Sequence, residues 1–156
     1  MATIRDSVEK LVSAGLASRG QITGCSDTEI QQLESSGGAE LPKAYKEFLK
    51  TMGQGAGDFL VGTDLFLPKL PKLRSWAEAL LQRTNSPYRL SPDIFVFLVH
   101  QGYQFLFFHL NQGEDPEVFH FEEGEEQPRM VFRHFTVWLA ASVDDEIAAY
   151  HEVHRS

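Results

Sequence analysis

The residues best suited to chemistry are six histidines, His100, His109, His120, His134, His151 and His154, all in the C-terminal part of the chain beside most of its carboxylates. Imidazoles among carboxylates serve as metal ligands or as general acids and bases. The spacing supports neither use. No His-Glu-x-x-His occurs, and the close pair His151 and His154 sits near the terminus at an i, i+3 offset that binds an added metal only weakly. Cys25 stands alone, which excludes an intramolecular disulfide and a Cys-x-x-Cys zinc or redox site. It also lacks a neighbouring base, and no Gly-x-Ser-x-Gly elbow is present. Gly53, Gly55 and Gly57 in MGQGAGDFLVG look like a phosphate loop in the wrong order. A dinucleotide fingerprint follows a strand and opens a helix, whereas here a helix ends and an apolar, strand-like run follows. A structural turn is the expected role. No catalytic residue, cofactor or metal is therefore expected.

Charge is more informative than any of these motifs. The net charge is −8, but residues 1–91 carry 11 basic and 10 acidic side chains while residues 92–156 carry 3 and 12. Such a field repels phosphate backbones, since nucleic-acid binding depends on Lys and Arg contacts that release counterions. It attracts a basic protein, and it also keeps a protein in solution. The apolar runs at Ile94–Val99 and Phe105–Leu110 are far shorter than the roughly 20 residues needed to cross a bilayer. With no disulfide pattern and charges scattered through MATIRDSVEKLVSAGL, a soluble, cytoplasmic protein is expected, bound neither to membrane nor to nucleic acid.

The elements that must position these residues follow from periodicity. Ile4, Val8, Leu11, Val12 and Leu16 recur at helical spacing, with Gly20 and Gly24 expected to end that helix. Ser26 and Glu29 form a capping box ahead of Ile30 and Leu33, and Ser35 to Gly38 stops the second helix. Pro42 suits a first turn, after which Tyr45, Phe48, Leu49 and Met52 make an inward stripe that ends at Gly53. Leu73, Trp76, Ala77, Leu80 and Leu81 make a fourth helix. From Asp93 the pattern changes to the Phe- and Val-rich runs DIFVFLV, YQFLFFHL, PEVFHFEE and PRMVFRH, which read as strands. A tight turn at Gln101-Gly102 predicts His100 opposite Tyr103, Leu98 opposite Phe105 and Val96 opposite Phe107, with Phe95, Phe97 and Val99 facing Phe108, Leu106 and Gln104. Both faces of that hairpin are apolar, so it belongs in the middle of a sheet. Phe135, Trp138 and Leu139 return to helical spacing, continued by Ile147, Ala148 and His151. Trp76 and Trp138 are both expected in the core.

EIQQLESSGGAELPKAYKEFLKTMGQG (29–55), the Gly and aromatic segment at 57–66, FVFLVHQGYQFLFF (95–108), PEVFHFEEGEE (116–126) and FRHFTVWLA (132–140) together resemble the SUKH superfamily, in its Smi/Knr-type branch. Their order and spacing carry the likeness, which extends from about residue 26 to 145. The resemblance implies an α+β fold, a central, largely antiparallel sheet backed by helices. The whole is expected to be one globular domain, with residues 1–25 as an added N-terminal helical extension to a SUKH-like domain at 26–156. It further implies a non-enzymatic protein-binding module, of the kind that neutralises a cognate, often nuclease, toxin. A regulatory scaffold of the same fold in cell-wall or signalling pathways is the alternative, and a small-ligand binder or enzyme the third reading. A basic toxin domain fits the acidic excess, with this chain a monomer or weak dimer. The family transfers no fixed site. The expected partner contacts are the carboxylates Glu114, Asp115, Glu117, Glu122, Glu123, Glu125 and Glu126, with His100 and Tyr103 as a partly apolar anchor at the hairpin tip.

Overall fold

The computed structural model describes residues 3–154. Thr3 opens α1 (Ile4–Ala14) through a capping box with Asp6, and Gly15 closes it at φ 86°. The helix thus ends at Gly15, ahead of the expected Gly20. Leu16 lies beyond it yet remains buried, because the chain folds back and the carbonyl of Leu16 accepts from Asp58 N at 2.7 Å. The two-residue strand β1 (Ile22–Thr23) follows. Helix α2 (Asp27–Gly37) starts at the predicted Ser26–Glu29 box and stops at Gly38, and α3 (Lys43–Met52) begins after Pro42. The buried stripe of α3 is Tyr45, Phe48, Leu49 and Met52, with Ala44.

The glycine segment is the structural turn that its reversed context predicts. It supplies β2 (Gly55–Ala56), antiparallel to β1. Space explains two of its glycines: a Cβ on Gly53 would lie 2.6 Å from Cys25 Sγ, and one on Gly57 would lie 2.6 Å from the carbonyl oxygen of Leu16. The strand-like run expected next is instead a turn, with Leu60 at φ 52°, and only Thr63–Asp64 (β3) pairs with the sheet. A left-handed residue interrupts any continuous strand there.

Helix α4 (Leu73–Arg83) leads into the strands β4 (Ile94–His100), β5 (Gln104–His109), β6 (Val118–Glu122) and β7 (Arg129–Phe132), and α5 (Phe135–Val153) ends the described chain. The main sheet has the order β3-β4-β5-β6-β7, antiparallel throughout, with the β4–β5 hairpin inside it. Near the tip the register differs from expectation: His100 faces Gln104, Val99 faces Phe105 and Leu98 faces Leu106. Gln101 and Gly102 both take positive φ as a primed turn requires, and His100 O accepts from Tyr103 N at 3.2 Å. Tyr103 then turns to β6, its carbonyl accepting from Glu123 N at 2.8 Å. A bulge at Phe97 absorbs the offset, so Val96–Phe107 and Phe95–Phe108 pair as predicted.

That bulge lets Phe97 and Leu98 share a face. Phe97 meets Trp138 at 5.0 Å between ring centroids, in an aromatic cluster with Tyr45, Phe108 and Phe135. The opposite face carries Phe105, Phe107, Phe119 and Phe121, with Tyr88 stacked on Phe107. Trp138 is buried as expected, whereas Trp76 only packs half-buried against the core rim.

Candidate protein-binding groove

The expected contact residues fall at two ends of the sheet. His100 and Tyr103 stand at the hairpin tip with their rings 5.6 Å apart, both half-buried. Beside them is the β6–β7 turn, because Glu122 pairs with Gln104 and Glu123 N bonds to Tyr103 O. Glu122 and Glu123 therefore lie beside the tip, and Glu125 and Glu126 follow in the same turn. Glu114, Asp115 and Glu117 precede β6 at its other end, about 17 Å away for five residues at about 3.4 Å each.

Asp115 has a structural commitment of its own. Its carboxylate accepts from Thr136 N at 3.0 Å and from the Thr136 hydroxyl, and its carbonyl bonds to His134 Nδ1 at 2.8 Å. His134, the residue at the helix start, makes no side-chain cap, so Asp115 caps α5 from across the fold. The Glu114 carbonyl accepts from Ala44 N at 2.9 Å in the first turn of α3, leaving its side chain exposed. Glu117 is exposed next to His109 and Phe119.

Between α5 and the tip end of the sheet lies a groove of about 500 Å³. Leu98, Leu106 and Trp138 line it deeply, Val131 and Phe132 more openly, and the Leu60–Thr63 turn closes one side. Its polar groups are fixed in place. Thr63 Oγ1 and His100 Nδ1 are 2.7 Å apart, His120 Nε2 and Gln104 Oε1 are 2.8 Å apart, and Glu146 accepts from Leu60 N at 3.0 Å. Glu125 Oε1 and His120 Nδ1 face each other at 3.6 Å, both buried and both without a hydrogen-bond partner, and Arg129 Nε is 3.8 Å from the other Glu125 oxygen. Ala141, Ser142, Asp145 and Glu146 of α5 complete the wall. Of the expected contacts only His100 lines the groove, with Glu125 behind its floor. The remainder of the lining was missed, although the Asp144-Asp145-Glu146 run is a visible signal for its α5 wall.

Elsewhere the chemistry resolves into packing. His109 Nδ1 lies 2.8 Å from Asp93 Oδ2, and Ser91 also donates to Asp93, so that the two hydrogen bonds hold this carboxyl below its usual range. These are the residue types of a hydrolytic triad, but serine and histidine both bond the aspartate, and the histidine is not placed to activate the serine. Cys25 is buried, which pushes its thiol up to about 11. Among the described residues no His, Cys, Asp and Glu side chains converge in a group that could hold a metal ion, and no helix is long and apolar enough to cross a membrane.

The model of the SMI1 / KNR4 family (SUKH-1) matches residues 24–141. The chain belongs to this family. A search of curated proteins finds no match. SUKH domains typically bind protein partners, and the family is generally not enzymatic. In this SUKH-1 domain α1 and the part of α5 beyond residue 141 lie outside the matched span. They pack on each other, with Lys10 bonded to Asp144 at 3.0 Å.

Proposed function

We propose that this SUKH-1 domain is a non-enzymatic binding module of the immunity type, which captures a basic toxin domain in the cytoplasm and blocks it. The observation that carries this reading is the acidic β6–β7 turn, Glu122 to Glu126, whose Glu122 and Glu123 lie beside the half-buried His100–Tyr103 tip. An acidic turn beside an aromatic anchor speeds encounter with a basic surface and supplies a desolvated contact once the surfaces meet. It also matches a nuclease that holds its substrate's phosphates with Lys and Arg side chains. Glu114 and Glu117, at the far end of the sheet, add to the long-range field. Asp115 contributes by holding α5.

The test is capture from a lysate of the source organism, followed by identification of the bound protein. Reversal of Glu122, Glu123, Glu125 and Glu126 to lysine should weaken capture at low salt by about tenfold or more and flatten its salt dependence. Unchanged capture would reject this surface. A housekeeping partner in place of a toxin would favour the scaffold role instead.

A further inference from the structure

The groove between α5 and the sheet is preformed, since bonds tie its sides: Glu146 to the Leu60 backbone, Thr63 to His100, and His120 to Gln104. Its floor is apolar at Leu106 and Trp138, yet its borders are acidic. Asp145 is exposed on the α5 wall, and Glu146 stands next to it in the lining. Val61 stands 71% exposed on the border, an apolar side chain that gains from being covered. At about 500 Å³ the space suits a few side chains, in the size range of small-ligand sites. Asp145 and Glu146 outnumber the single lysine or arginine, Arg129, in the lining, which selects against anionic occupants.

We propose that this groove takes a short segment of the partner protein in which apolar and cationic side chains alternate. The apolar side chains lie on the Leu106–Trp138 floor and under Val61, and a Lys or Arg side chain reaches Asp145 on the α5 wall. The proposal rests on the protein-binding reading above and adds the place and chemistry of recognition. Alternation follows from the groove itself, because an extended chain sends successive side chains to opposite sides, one set to the floor and one to the borders.

The probe is the peptide acetyl-Arg-Leu-Arg-Leu-Arg-amide titrated into the full-length ¹⁵N-labelled protein, against versions with serine replacing leucine and glutamate replacing arginine. The leucine–arginine peptide should shift the amides of Leu106, Ala141 and Ser142. Either replacement should weaken binding at least tenfold, as should Ala141→Trp, which fills the groove, and Asp145→Lys. Ser142→Arg is a second block, for use if Ala141→Trp loses the dispersed spectrum of the folded protein. Equal binding of the serine peptide, shifts confined to Glu122–Glu126, or no binding of any peptide would overturn the proposal. The lysate capture separates the two ideas. A partner held equally by wild type and Ala141→Trp sinks the groove and spares the binding module, while a peptide seated in the groove with no partner captured does the reverse.

Discussion

Asp115 shows how a carboxylate that reads as a contact residue can be spent on the fold. It meets the first turn of α5, where backbone N–H groups lack intrahelical partners, and takes both the amide and the hydroxyl of Thr136. Asp115→Ala should cost about 1 kcal/mol, within the range of about 0.5–2 kcal/mol for losing a helix N-cap, as read from the urea midpoint. Glu123→Ala, exposed on its turn, should leave the midpoint within about 0.5 kcal/mol. Equal effects of the two changes would mean that Asp115 is not a cap. Cys25 makes the corresponding argument for reactivity. Burial, reinforced by the nearby Glu29 charge, raises its thiol to about 11, so about one molecule in ten thousand carries the thiolate at pH 7. A disulfide reagent should therefore label the folded protein very slowly at neutral pH and the urea-unfolded protein fast. Rapid labelling of the native protein would show that Cys25 is accessible.

At the scale of elements, the features carried by neighbouring residues were legible in the sequence. The Ser26–Glu29 box is complete within four residues and appears as predicted, with Ser26 N donating to Glu29 at 2.8 Å. The β4–β5 register was legible only away from its tip. The offset depends on the Phe97 bulge and the Tyr103–Glu123 bond, which join segments distant in sequence. Glycines divide in the same way. Gly24 passes against the end of α3, where an added Cβ would lie 1.7 Å from the Lys50 carbonyl oxygen, while Gly37 at the end of α2 meets nothing within 4 Å. Gly24→Ala should thus destabilise the protein by about 3 kcal/mol, since the backbone it strikes cannot rotate aside. Gly37→Ala should be neutral or stabilise by up to about 1 kcal/mol through the unfolded chain. Thermal unfolding of the two variants checks the contrast, and a tolerated Gly24→Ala would mean that β1 does not seat on α3 this closely.

Over the whole molecule, the groove combines residues from 60–63, 98–106, 120–132 and 138–146, four segments that no local pattern links. The sequence therefore announced the sheet and the acidic excess but not the concavity between them. The same long-range packing decides the standing of α1. The matched family span begins at residue 24, yet Ile4, Leu11 and Leu16 belong to the same buried cluster as the aromatic core. Ile147 and Tyr150 of α5 pack against that cluster too, on the helix that forms the groove wall. Burying each aliphatic side chain contributes about 1.5–3 kcal/mol, so three of them supply a large share of a stability that for most domains is about 5–15 kcal/mol. A chain starting at residue 24 should consequently unfold at a much lower urea concentration, and its amide-exchange protection should fall most along α5 beyond residue 141. The full-length protein should show a single unfolding transition by both circular dichroism and tryptophan fluorescence. If the shortened chain matched the full-length midpoint, α1 would be an appendage, and the groove wall would have to be held by the family-matched elements alone.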